Sequence, residues 1–147
     1  MAREALASAR PRAVASRRFE IGAEQDVFDV RRFVRSVAEA RGFDRFAVAA
    51  ITTATSELAR NVWMHAGSGS ALVEEVAGGG RFGVRVSFQD EGPGIEDADR
   101  VLRGGYSTAN SMGLGLSGSK RLVDGFELES EPGEGTRVVI LKWARRF

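Results

Sequence analysis

Hydrophobic residues recur along this chain at two distinct periods, and the switches between them mark out its elements. From Glu24 to Arg41 the apolar positions Val27, Val30, Val34 and Val37 step by three, four and three, an amphipathic helix that Gly42 ends. Asp44 is placed to cap a second helix running to about Ala66, with Ile51, Leu58, Val62 and His65 along one stripe. Gly67-Ser68-Gly69-Ser70 breaks it, and period two takes over. Ala71–Val76 and Arg81–Gln89 flank Gly78-Gly79-Gly80 and predict a hairpin. Phe82, Val84, Val86 and Phe88 alternate with Arg85, Ser87 and Gln89. One further strand residue therefore sets Asp90 on the face of Phe88, at the end of the buried face.

Arg18-Phe19-Glu20-Ile21 reads as a short strand near the start, and Phe126–Ser130 and Thr136–Trp143 as two final strands around Pro132-Gly133-Glu134-Gly135. Glu96 to Met112 is polar and Gly-rich, with one helical turn about Ala98–Leu102. Gly113–Asp124 reads as a glycine loop running into a third helix. The order βααββ, loop, αββ predicts an α+β fold. It is a two-layer sandwich with helices on one face of a mixed, mostly antiparallel sheet.

Composition narrows the chemistry. At 147 residues the chain suits one domain over residues 19–147, preceded by a flexible arm over residues 1–18. The arm carries Arg3, Arg10, Arg12, Arg17 and Arg18 against Glu4, and lacks the apolar stretch of a secretory signal. A net charge of +1 gives no global attraction to nucleic acid or anionic membrane, so neither is expected as a partner. The absence of cysteine removes disulfides, thiolate metal sites and cysteine nucleophiles. A single histidine argues further against structural zinc, and no spacing supports a Ser-His-Asp triad. No apolar run approaches the roughly 18 residues of a membrane span, so a cytoplasmic location is expected.

Three stretches carry candidate chemistry. Glu57 and Asn61 stand four apart, on one helix face at the rim of the helix–sheet interface. A carboxylate there can polarise a hydroxyl, and an amide oxygen can ligate Mg²⁺, which favours hard oxygen donors. Asp90-Glu91-Gly92-Pro93-Gly94 follows a strand, so its acid can accept a hydrogen bond from an exocyclic amine while its glycines allow close approach. Gly113-Leu114-Gly115-Leu116-Ser117-Gly118 matches GxGxxG without a preceding strand, and Ser119 interrupts a Walker-type Gly-Lys. What remains is a set of backbone N–H groups suited to phosphate, with Lys120 within reach. Thr136 shares the parity of Val138 and Ile140 and so the cleft with Asp90. His65, continuing an apolar stripe, reads as a core residue.

In this order the three stretches resemble the N, G1 and G2 boxes of the GHKL ATP-binding superfamily, over about Asp44 to Trp143. The resemblance implies a Bergerat fold with ATP and Mg²⁺ between the helices and the sheet. It casts Glu57 as catalytic base, Asn61 as metal ligand and Asp90 as the adenine contact. Gly92 and Gly94 become the floor of the adenine pocket. Gly113, Leu114, Gly115, Leu116 and Lys120 form the phosphate end of a lid, and Thr136 supports Asp90. The stretches Ser56–Asn61, Gly105-Tyr106-Ser107-Thr108-Ala109 and Ser130–Thr136 are most similar to the RsbT-like switch kinases of partner-switching systems. One departure is the lack of a second glycine cluster before Gly113. That likeness implies a serine/threonine kinase acting on a STAS-domain antagonist or scaffold, with a PP2C-type phosphatase as a further partner. The alternatives are an anti-sigma factor that binds a sigma factor directly, and a nucleotide-binding partner module without catalysis.

Overall fold

The computed structural model describes residues 11–94 and 112–145. Among these, five strands form one sheet: β1 (Arg12–Ile21), β2 (Gly69–Gly78), β3 (Arg81–Asp90), β4 (Gly125–Glu131) and β5 (Gly135–Trp143), in the order β1-β2-β3-β5-β4. All four pairings are antiparallel, where a partly parallel sheet was expected. The difference lies in the last hairpin. The chain leaves β3 and crosses over, and β4 forms the far edge. β5 then folds back between β3 and β4, so no parallel pair forms. Gly79 (φ 59°) and Gly80 (φ 77°) close the β2–β3 hairpin with two residues at positive φ, the geometry that suits strand twist.

β1 starts at Arg12, well before the expected Arg18. It pairs with β2 from Arg12↔Ala77 to Ile21↔Gly69, across an irregularity between Ala13 and Ala15. Its first seven residues are exposed, so no buried face writes an alternation into them, and the backbone ladder holds them together with the Arg17 stacking on Phe19 and Phe33. Arginines along an edge strand also discourage edge-to-edge pairing with another chain.

Three helices of the described residues cover one face. In α1 (Glu24–Ala40) Val27, Val30, Val34 and Val37 are buried as the stripe requires. The Asp26 carboxylate accepts from the N–H groups of Gly22 (2.8 Å) and Ala23 (3.0 Å) at its start. Asp44 caps α2 (Arg45–Asn61) by accepting from the Ala47 N–H at 2.8 Å. α2 buries Ile51, Ala54 and Leu58 against Val73, Val84, Val86, Phe88 and Ile140 of the sheet.

Past Asn61 the helix widens into a π turn, Val62–Ala66, ended by Gly67 at φ 84°. The wider turn throws later residues out of phase. His65 is therefore half-buried on the turn and does not continue the core stripe as expected.

α3 (Met112–Leu122) corrects a second expectation. Gly113, Leu114, Gly115, Leu116 and Gly118 lie inside the helix, where a loop was expected to precede one. Leu116 is 2% exposed and reaches the core, while Gly115, Ser117 and Ser119 are buried. Gly115 lets α3 lie close to Glu57 and Asn61 of α2 while Leu116 anchors the helix. The helical turn expected at Ala98–Leu102 and the run Gly105–Ala109 lie outside the described residues.

Candidate functional site

The C-terminal end of α2, the C-terminal end of β3 and the start of β5 meet at one end of the sheet. Asp90 and Thr136 are register partners on adjacent strands there. Asp90 does share the face of Phe88, and the two line one cavity with Thr136, Val138, Leu58, Asn61, Val62 and Leu116. Most of that lining is apolar, and Asp90, Asn61 and Thr136 are its polar groups.

Asp90 is held from several sides. Its Oδ1 accepts from the Gly92 N–H at 2.9 Å. Burial pushes its carboxyl above the usual value. The Gly92 and Thr136 backbone hydrogen bonds, and the charge of nearby His65, oppose that rise. The Thr136 hydroxyl lies 3.1 Å from Ser130 Oγ, which in turn donates to the Gly135 carbonyl at 3.0 Å. Thr136 thus supports Asp90 through its backbone, while Ser130 fixes its side chain.

The glycines after Asp90 have a structural reason of their own. A Cβ on Gly92 would fall 2.6 Å from the Ala66 Cβ. Gly94, at φ 76°, would drive one into the Glu131 carbonyl, and Gly135, at φ 91°, into the Asp90 carbonyl. The Gly133 N–H donates to the Pro93 carbonyl at 2.7 Å. The β4–β5 turn therefore grips residues 91–94 and sets the direction of Asp90. The lining of the cavity includes Asp90 but neither Gly92 nor Gly94.

On the helical side, the Glu57 carboxylate is at the rim, paired with Arg60 at 3.5 Å. A Cβ on Gly115 would sit 3.4 Å from Glu57 Oε2 and 3.5 Å from Asn61 Nδ2. α3 therefore presents its bare glycine backbone to the two N-terminal candidates. Among the described residues, Asn61 Nδ2 is buried with no hydrogen-bond partner. A buried amide without a partner costs on the order of 1–3 kcal/mol, so this side chain is primed for a ligand. An amide flip would turn its oxygen to the same place. Among the described residues no three acidic or imidazole groups converge on one point. Mg²⁺ would thus need Asn61 together with oxygens brought by a phosphate ligand, the usual pattern for that ion.

Lys120 is exposed on α3 and does not line the cavity. Gly113 and Leu114 belong to the first turn of α3, and the side chain of Leu114 lies outside the described residues. Ser130, Gly135 and Ala66 are additions that periodicity did not pick out, and His65, which it placed in the core, instead acts on Asp90. Parity offered a signal for one of them, since Ser130 is the register partner of Thr136.

The cavity measures about 20 Å³, room for about one water molecule. A benzene-sized ring fills a cavity of ~150 Å³, so the cavity as it stands is smaller than a purine.

Comparison with known proteins agrees with this geometry. Residues 47–146 match the model of the histidine kinase-, DNA gyrase B- and HSP90-like ATPase family. The chain is 45% identical over 122 residues to the serine/threonine-protein kinase RsbT of Bacillus subtilis, spanning 83% of this chain and 92% of that protein. It is 30% identical over 102 residues to an anti-sigma F factor of a Thermoanaerobacter species, spanning 65% of this chain and 70% of that protein. Among solved structures, the RsbU and RsbW domains of a Mycobacterium tuberculosis protein superpose with a TM-score of 0.61 at 20% identity. That match covers 90% of this chain and 34% of the other, and it shows the shared fold.

Proposed function

Since this chain belongs to the histidine kinase-, DNA gyrase B- and HSP90-like ATPase family, we propose that it is a cytoplasmic serine/threonine kinase of a partner-switching pathway. It takes ATP and transfers the γ-phosphoryl group to a Ser or Thr of a STAS-domain antagonist or scaffold. A PP2C-type phosphatase is its second partner. The observation that supports this most directly is one juxtaposition. Asp90 and Asn61 share one cavity, and Glu57 stands at its rim beside the Gly115 backbone. The high identity to a kinase over most of both chains favours this reading over direct capture of a sigma factor.

Each residue then has a defined task. Asp90, half-buried and aimed by Gly92 and Thr136, accepts a hydrogen bond from the adenine amine and so selects the base. Thr136 and the apolar walls hold the ring. Gly113, Leu114, Gly115 and Leu116 bring α3 backbone to the phosphates, and Lys120, exposed on the same helix, adds positive charge from the solvent side. Asn61 would hold Mg²⁺, which when bound offsets phosphate charge. Glu57 accepts the proton of the acceptor hydroxyl as its oxygen bonds to the γ-phosphorus and the bond to the β-phosphate oxygen breaks. The rest of the catalysis is positioning, which suits a site built on the ends of rigid elements.

The experiment is phosphotransfer from γ-labelled ATP-Mg²⁺ to a purified STAS-domain protein. Wild-type chain should label it on Ser or Thr, and Asn61→Ala should not. ATP binding without any labelled protein, across STAS-domain candidates and a cell extract, would overturn the kinase reading in favour of a nucleotide-gated binding module.

A further inference from the structure

A second cleft lies at the opposite end of the sheet from Asp90. It is about 510 Å³ and is formed by the N-terminal end of α2, the C-terminal end of α3, and the strand ends at Arg81 and Trp143. The ten-residue β3 runs between the two ends, a span of roughly 30 Å. Nothing in the phosphotransfer reading uses this cleft.

Its charges are unevenly matched. Four cations line it, Arg81, Arg121, Lys142 and Arg145, against Asp44 and Asp124. Both acids are engaged. Asp44 accepts from the Ala47 N–H at 2.8 Å and pairs with Arg145 at 3.2 Å. Asp124 accepts from the Trp143 N–H at 2.8 Å and pairs with Lys142 at 3.7 Å. Among the described residues Arg121 has no acid within ion-pair distance, and Arg81 has only the Trp143 ring, 4.6 Å from its guanidinium. Two positive charges are thus left for an incoming group. Beside them Phe46 is 77% exposed, a large apolar ring in water at the mouth of the cleft. Aromatic and Arg side chains gathered in one concavity are what protein-recognition anchors are made of.

We propose that this cleft docks an acidic peptide segment of a partner protein, with two carboxylates meeting Arg81 and Arg121 and an apolar side chain between them packing on Phe46 and Trp143. Only two cations are left uncompensated, a charge that two spaced carboxylates match and that a continuous run of phosphates or a lipid headgroup layer exceeds. Both α2 and α3 begin or end here and run to the Glu57, Asn61 and Gly115 end, so a bound segment rests on the two helices that frame the other site. The proposal stands whether or not that other site transfers phosphate, because docking needs no nucleotide.

The test is a random 12-residue phage-displayed peptide library panned on the full chain without nucleotide, then on Arg81→Glu/Arg121→Glu. Enriched peptides should carry at least two Asp or Glu around an aliphatic or aromatic residue. The synthetic consensus peptide should shift the amide resonances of Phe46, Arg121 and Trp143. Its affinity should fall at least about tenfold on the double variant and also on Phe46→Ser, a change in an exposed side chain that spares the fold. Equal affinity for wild type and both variants would overturn the proposal, as would enrichment without acidic character or shifts mapping to Asp90 and Thr136. Loss of binding to phosphatidylserine vesicles, or loss of self-association, in the double variant without any acidic peptide selectivity would equally overturn it, assigning the cleft to a membrane or to a second copy.

Discussion

Replacing Asp90 by Asn separates a nucleotide-reading acid from a structural one. In the free chain this carboxylate is half-buried, and burial raises its pKa above the ordinary 3.8 despite the Gly92 and Thr136 hydrogen bonds and His65. A folded-state value above the unfolded one means that the group favours folding most below about 3.8. That contribution is lost as pH climbs through the folded value. At neutral pH the charged form therefore disfavours the fold. Asn keeps an oxygen for the Gly92 N–H at 2.9 Å and removes the charge, so the free variant should unfold at the same temperature or higher. Its advantage over wild type should grow as pH rises from 3.8 through the folded value and level off above it. Binding changes the other way. A hydrogen bond to a charged acceptor contributes about 1.5–3 kcal/mol, and an amide can turn only its single oxygen to the adenine amine while also serving Gly92. The ATP dissociation constant should therefore rise on the order of 10- to 100-fold. Calorimetric titration with ATP-Mg²⁺ and thermal unfolding at pH 5 and pH 8 read both quantities. Unchanged affinity together with a melting temperature lowered at pH 8 would refute the reasoning, because Asp90 would then be a structural anion.

Other substitutions test the remaining parts. Gly115→Ala places its methyl at van der Waals distance from Glu57 and Asn61 and removes a helical glycine, so thermal unfolding should show a gain of roughly 0.5–1 kcal/mol. Gly115→Leu should fill the space over both side chains and abolish phosphotransfer while the circular dichroism spectrum stays that of the wild type. Gly94→Ala must adopt φ 76° against the Glu131 carbonyl, and urea unfolding should show a loss of at least about 1–3 kcal/mol with weakened ATP binding, since the turn that aims Asp90 moves.

The elements were legible in the sequence wherever one face is buried and the other wet. Val27 to Val37 in α1, and Val84, Val86 and Phe88 in β3, write their periods plainly because each has a core to face. The first half of β1 was not legible for the same reason, since Arg12 to Arg18 face solvent and leave no alternation to read. Glycine misled in α3, where Gly113, Gly115 and Gly118 suggested a loop but lie within a helix, and Gly115 faces Glu57 and Asn61 of α2. After β3, Gly92 and Gly94 also have a packing reason beside Ala66 and Glu131 that the sequence did not show. His65 left its predicted stripe because five residues of π turn change the helical phase, which a 3.6-residue period cannot anticipate. Asp90 and Thr136 were placed correctly relative to each other by parity alone. The cation-rich cleft was invisible, because its residues come from four elements far apart in sequence.

The most direct test of the central claim is Glu57→Ala in a single-turnover phosphotransfer assay, run beside ATP binding on the same protein. Glu57 stands at the rim of the cavity and pairs with Arg60, so its removal should leave ATP affinity within about twofold. Loss of a positioned base should slow transfer by roughly 10²- to 10⁴-fold. Transfer at the wild-type rate would contradict the account, and so would a parallel loss of ATP binding and transfer, which would make Glu57 part of the binding site and leave the chain without its base.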